Sequence, residues 1–215
     1  MTEAEWLACN DSEEIHRFLS DRAADRKLWL FAAACFRNLI HLLPHTRQHH
    51  AIEVLERIAA GTATRHDRSE AGINARRLIP ARLETDNTSR VDDPHFAALM
   101  LYREFASSSP GVHAWTAAGA VADYVSERTR QAALLRDIFG NPFCAVAFSP
   151  SWRTDTAVAL ARGMYETRDF SAMPILADAL QDAGCDNDDV LNHCRDAKQV
   201  HVRGCWVVDL VLGKE

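Results

Sequence analysis

Apolar residues recur along most of this chain at spacings of three and four, the period that gathers side chains onto one helix face. The clearest run covers residues 24–43. Leu28, Phe31, Cys35, Leu39 and Leu42 form one stripe, and Trp29, Phe36, Ile40 and Leu43 form a second. A helix apolar on two faces belongs inside a core, and Pro44 marks its end. Residues 46–60 repeat the pattern through Ile52, Leu55, Ile58 and Ala59, with Gly61 as the stop.

Flanking segments read the same way. Thr2 and Glu5 have capping-box spacing for a short first helix. Asp11 or Ser12 caps a second, which carries Ile15, Phe18 and Leu19. Asp93-Pro94 opens a helix through Phe96, Leu99, Met100 and Phe105. A long helix over 112–139 closes at Gly140-Asn141-Pro142, and Ser149-Pro150 starts the next. Helices over 171–183 and 187–195 follow. Residues 202–212 are ambiguous, because Val207, Val208 and Val211 favour a strand. The four-residue spacing of Val202, Trp206 and Leu210, with Gly213 as stop, favours a helix packed through Trp206. Residues 69–78 read as a polar helix, and 79–93, rich in turn formers, as a long loop. The expectation is an all-α, bundle-like fold of one compact domain over 1–215, with sub-halves at 1–61 and 93–215.

Composition narrows the class. At 215 residues, with 47% apolar and 25% charged positions, the chain suits one sizeable soluble core. No basic, apolar leader is expected at Met-Thr-Glu-Ala-Glu-Trp, and residues 28–43 are too short and too polar to span a bilayer. Six scattered cysteines read as reduced thiols, so a cytoplasmic location is expected. The net charge of −6 argues against nucleic-acid binding. Residues 178–196 are net −5, and the arginine-rich 65–90 segment is net +2. The latter lacks interleaved aromatics for nucleic acid but would suit an acidic partner or a second copy of the chain.

The densest chemistry is at the C-terminal end. Cys185, His193, Cys194, His201 and Cys205 lie within twenty-one residues. If 202–212 is helical throughout, His201, Cys205 and Asp209 share a stripe, and His193 or Cys194 could face it. Zinc takes four nitrogen or sulfur donors in a tetrahedron, so these five are the candidate metal ligands. The alternative for the cysteines is ordinary core packing, since free cysteine is among the most buried residue types. A second histidine group, His45, His49 and Glu53 with His41 and His50 nearby, falls near the solvent side of its helix and reads as a surface patch. Asp137 could serve as a base and Arg203 as an anion clamp. The commoner use of such residues is a structural ion pair. No phosphate loop, Ser-His-Asp signature or H-E-x-x-H pattern is present.

Met-Thr-Glu-Ala-Glu-Trp-Leu, Arg-Lys-Leu-Trp-Leu-Phe-Ala-Ala-Ala-Cys-Phe-Arg, Leu-Leu-Arg-Asp-Ile-Phe-Gly-Asn-Pro-Phe at 134–143, Pro-Ile-Leu-Ala-Asp-Ala-Leu from 174 and His-Val-Arg-Gly-Cys-Trp-Val-Val-Asp-Leu-Val-Leu-Gly-Lys-Glu from 201 carry a resemblance. These blocks resemble an uncharacterised bacterial protein family over nearly the full length, and the resemblance implies no activity. Members have a second cysteine beside Cys35, where this chain has Ala34 and Phe36, and arginine where Cys144 stands. The resemblance therefore implies no ligand role for Cys35 or Cys144.

Two functional readings follow. The first is a helical protein acting through protein contacts, as an adaptor or self-assembling module, with Trp6, Trp115 and Trp152 as interface anchors. The alternative is a zinc-type metal-binding protein, with enzymatic activity as one version, built on the C-terminal cysteines and histidines.

Overall fold

In a computed structural model the described residues are 1–19, 24–43, 46–76, 100, 103–105 and 124–214. They carry helices and, among the described residues, no strand, so the fold is all-α. The expected loop at 79–93 lies outside the described residues. So do most of the helix expected from Pro94, of which residues 100 and 103–105 are helical, and the expected helical residues 112–123. Among the described residues no helix is long and apolar enough to cross a membrane.

The chain divides into two compact units, residues 10–132 and residues 1–9 with 133–215. The first holds α2 (Ser12–Leu19), α3 (Asp25–Asn38), α4 (Thr46–Ala59) and α5 (Arg65–Arg76). Helix α3 packs on α4, and α4 on α5. Every residue from Leu28 to Phe36 is buried, as two apolar faces require. At its end α3 tightens into a 3-10 turn, Ile40–Leu42, rather than running on as α-helix to residue 43. The residue before a proline is biased away from helical geometry, and Pro44 is next in sequence. Arg37 Nε donates to Glu56 Oε1 at 2.7 Å, joining α3 to α4. Helix α5 begins four residues before the polar helix expected over 69–78. Thr64 Oγ1 accepts from the Asp67 amide at 3.1 Å while Asp67 Oδ2 accepts from the Thr64 amide at 2.7 Å. This reciprocal cap starts the helix.

The second unit holds α1 (Glu3–Ala8), the C-terminal part of α6 (Tyr124–Phe139), a 3-10 turn at Pro150–Trp152, α7 (Asp155–Thr167), α8 (Met173–Asp182), α9 (Asp188–Arg195) and α10 (Trp206–Leu212). Thr2 and Glu5 form the expected capping box on α1. Met164, Leu176, Leu180, Val190, Val207, Val208 and Val211 make the core, where α8 packs on α7 and α9, and α10 on α7 and α9. The helix expected to restart at Ser149 is a separate turn, because Thr154 caps α7 by accepting from the Ala157 amide at 3.2 Å.

Three arginines finish three helices in this unit. Arg136 donates to the carbonyls of Trp6 and Cys9 at the end of α1. Arg203 donates to the carbonyls of Tyr165 and Glu166 on α7 at 2.5 and 3.0 Å. Arg153 donates twice to the Leu210 carbonyl of α10. The last carbonyls of a helix lack intrahelical donors and carry the negative end of its dipole, so a guanidinium there satisfies both. Arg203 thus acts as a helix cap, and its three-carbon stem leaves the charge over the Tyr165 ring, 5.2 Å from the centroid.

Candidate metal centre

Asp137 sits on the last turns of α6 among Leu134, Leu135 and Ile138, all buried, and is itself fully buried. A carboxylate among leucines needs donors, and three reach it. His201 Nδ1 lies 2.8 Å from Oδ1, His193 Nε2 lies 3.3 Å from the same oxygen, and the Val202 amide donates to Oδ2 at 2.9 Å. Burial would push the Asp137 carboxyl up. The hydrogen bonds from His193 and His201 outweigh it and hold the group below the usual carboxylate range.

Local chain geometry supplies the other members. Asn187 Oδ1 accepts from the Val190 amide and starts α9, which delivers His193 from its last turn. Helix α10 does not reach back to residue 202. Gly204 adopts φ +95°, which a continuing helix of L-residues cannot, and the helix starts only at Trp206. His201, Cys205 and Asp209 are therefore not one helical stripe. A tight turn, closed by the Cys205 amide donating to the Val202 carbonyl at 2.9 Å, brings His201 and Cys205 together instead.

Cys205 Sγ lies 3.1 Å from His193 Nε2 and 3.8 Å from His201 Nδ1. The two imidazoles meet edge to face with centroids 4.9 Å apart. Asp137, His193, His201 and Cys205 thus each offer one donor atom, all within 4.8 Å of one another. Burial, with Asp137 nearby, pushes the Cys205 thiol well above its ordinary value, although the Val208 and Val207 amides pull the other way. A thiol this buried and this reluctant to ionise is a poor free nucleophile.

Of the five sequence candidates, His193, His201 and Cys205 are in the group. Cys185 and Cys194 are buried cysteines outside it, in the apolar core. Burial, with Cys185 and Asp137 nearby, raises the Cys194 thiol to about 12. Asp137 entered the sequence reading apart from the ligands. An acidic residue within one helical turn of buried Leu134, Leu135 and Ile138 hints at burial but names no partner.

Among the described residues, the second histidine group forms no cluster of ligating atoms. His49 Nε2 lies 2.6 Å from the Leu43 carbonyl, His50 is 3.4 Å from Glu53, and His45 lies outside the described residues. Trp6 and Trp152 are buried rather than presented as anchors, and Trp115 lies outside the described residues. Trp206 is half-buried, because the inward face of α10 is Val207, Val208 and Val211.

The fold and site define an all-α chain with a buried group of one carboxylate, two imidazoles and one thiol. No family model, curated protein or solved structure matches it.

Proposed function

We propose that this protein binds a zinc-type divalent ion through Asp137, His193, His201 and Cys205, and that the ion is structural. The convergence of four metal-ligating atoms from three separate chain segments carries the reading. A tetrahedral zinc with nitrogen and oxygen ligands near 2.0–2.1 Å and sulfur near 2.3 Å has neighbouring donors about 3.3–3.6 Å apart. Four of the six separations, 2.8, 3.1, 3.3 and 3.8 Å, straddle that range, and all lie within 4.8 Å. An ion needs the Asp137–His201 pair to open slightly and the thiol to lose its proton.

The side chains of Asp137, His193 and His201 are 0%, 10% and 7% exposed, and Cys205 is fully buried. Four protein donors in so closed a site leave no position for water or substrate, which is the pattern of a structural rather than catalytic zinc. The ion would tie the end of α6, the end of α9 and the turn before α10. Free cysteines throughout suit a reducing, cytoplasmic setting. The adaptor reading has less support, since two of its anchors are buried.

Elemental analysis of untagged protein tests this. About one zinc per chain is expected, lost in Cys205→Ser and Asp137→Asn and kept in Cys144→Ser. Metal-free protein that takes up no added zinc would overturn it.

A further inference from the structure

The Trp206 ring packs against His193 of the site. Its Nε1 lies 3.2 Å from His193 Nδ1, with the ring centroids 5.1 Å apart. An indole N–H can only donate, so Nδ1 must accept and carries no proton. The proton of that imidazole is then on Nε2, facing Asp137 Oδ1 at 3.3 Å and Cys205 Sγ at 3.1 Å. Both are acceptors, so the arrangement is self-consistent without an ion.

It is also the wrong tautomer for a metal. Nε2 can ligate only with its lone pair free, which moves the proton to Nδ1, and metal-bound histidines normally donate that second N–H to an acceptor. Here the second nitrogen faces another donor. Two N–H groups cannot share the line, and one of the two rings has to give.

Trp206 has space to give. It lines a cleft of about 300 Å³ together with His193, Glu3, Asn141, Asp189 and Gln199, whose side chains include acceptors for an indole N–H. Gly140 lines the same cleft, and an added Cβ there would stand 3.1 Å from Trp206 Cγ. The glycine thus leaves the indole room beside the cleft.

We infer that Trp206 is a positioning residue that holds His193 in its metal-excluding tautomer, so that loading the site requires the indole to release Nδ1 and withdraw toward the cleft. The inference rests on the metal reading above and adds a control element to it. Trp206 makes the metal-free state a defined, hydrogen-bonded conformation rather than a collapsed one, and sets a threshold of metal activity below which the site stays empty.

The test pairs long-range ¹⁵N–¹H NMR of His193 with zinc titration against a competing chelator, on wild type and Trp206→Phe. In metal-free wild type the His193 proton is expected on Nε2, and the Trp206 indole N–H resonance should shift as zinc is added. Trp206→Phe, lacking the competing donor, should bind zinc about 3- to 10-fold more tightly, the span expected for one ordinary hydrogen bond. Should that variant fail to fold, the wild-type spectra decide alone. A wild-type proton on Nδ1, or an indole resonance unmoved by zinc, would overturn the inference. Equal zinc affinity in both proteins would overturn it and leave the metal reading standing, whereas no zinc binding by either would overturn both.

Discussion

Asp137 Oδ1 lies 2.8 Å from His201 Nδ1 across sixty-four residues of sequence, with neither side chain more than 7% exposed. The contact joins the end of α6 to the turn that feeds α10. A buried carboxylate is tolerable only when its donors arrive with the fold, so this pair couples the two segments energetically. Asp137→Asn keeps the volume but replaces an ionised double acceptor with an amide that must aim one N–H₂ at a donor. A loss of about 1.5–3 kcal/mol is expected, the usual range for a hydrogen bond to a charged group. Urea unfolding of the metal-free protein measures it, and a loss below about 0.5 kcal/mol would show that Asp137 does not hold the two segments together.

A structural ion contributes its binding free energy to folding. Free zinc at one hundred times its dissociation constant stabilises the native state by about 2.7 kcal/mol. A membrane-permeant or soluble zinc chelator should therefore lower the melting temperature of wild type and of Cys144→Ser. Cys205→Ser should melt at the same temperature with or without chelator. Chelator-independent melting of wild type is the contrary outcome.

The thiols should separate by accessibility. Cys144 is exposed, although the hydrogen bond and charge of Asp189 raise its thiol, while Cys35, Cys185, Cys194 and Cys205 are buried. Native protein treated with a maleimide should label at Cys144 first, with Cys9 next because it is partly exposed. Peptide mapping that finds Cys205 or Cys194 labelled in the folded state would contradict the closed site.

The helical fold was legible because its signals are local. Three/four spacing marked α3 and α4, the Thr2/Glu5 pair marked α1, and Gly140, Gly184 and Gly213, at φ +67°, +87° and +65°, stop helices where the sequence places them. The site was half legible. His193, His201 and Cys205 are close in sequence, and a dense group of ligating residues is visible without a structure. Asp137 is not, because its partnership depends on how α6 and α9 come together, and local spacing does not encode that. Cys194 lies outside the group for a related reason. It adjoins His193 in sequence, but successive residues on a helix diverge by about 100°, so Cys194 faces the core while His193 faces the cluster. The turn before α10 was lost to the same preference for periodicity: the spacing of Val202, Trp206 and Leu210 reads as one helix, and Gly204, at φ +95°, breaks it.

Gly140 combines two constraints. Its φ of +67° lies in the left-handed region, and a Cβ there would meet Trp206 Cγ at 3.1 Å and Cδ2 at 3.2 Å. Gly140→Ala should cost about 1–3 kcal/mol through backbone strain and displacement of the indole. Gly184, equally left-handed at φ +87° but with nothing within 4 Å of an added Cβ, is the control that isolates strain from contact. Gly140→Ala should disturb Trp206 fluorescence and Gly184→Ala should not. Matching spectra would mean that the glycine serves the turn alone.

The cap of α5, in the unit of residues 10–132, gives a pH dependence of its own. Hydrogen bonds from the Thr64 amide and hydroxyl, then from Arg57, lower the Asp67 carboxyl from 3.8 to about 2. The folded value lies below the unfolded one, so the native state favours the ionised form. The stabilisation is complete above pH 4 and disappears as the pH falls toward 2. In Asp67→Asn the residue has no charge to lose. The variant should be less stable than wild type at pH 6, and the gap should close between pH 4 and about 2, as protonation removes the ion pair from wild type. Urea midpoints for both proteins across that interval measure the convergence. A gap that stays constant would mean that Asp67 caps α5 through its oxygen geometry, with no contribution from its charge.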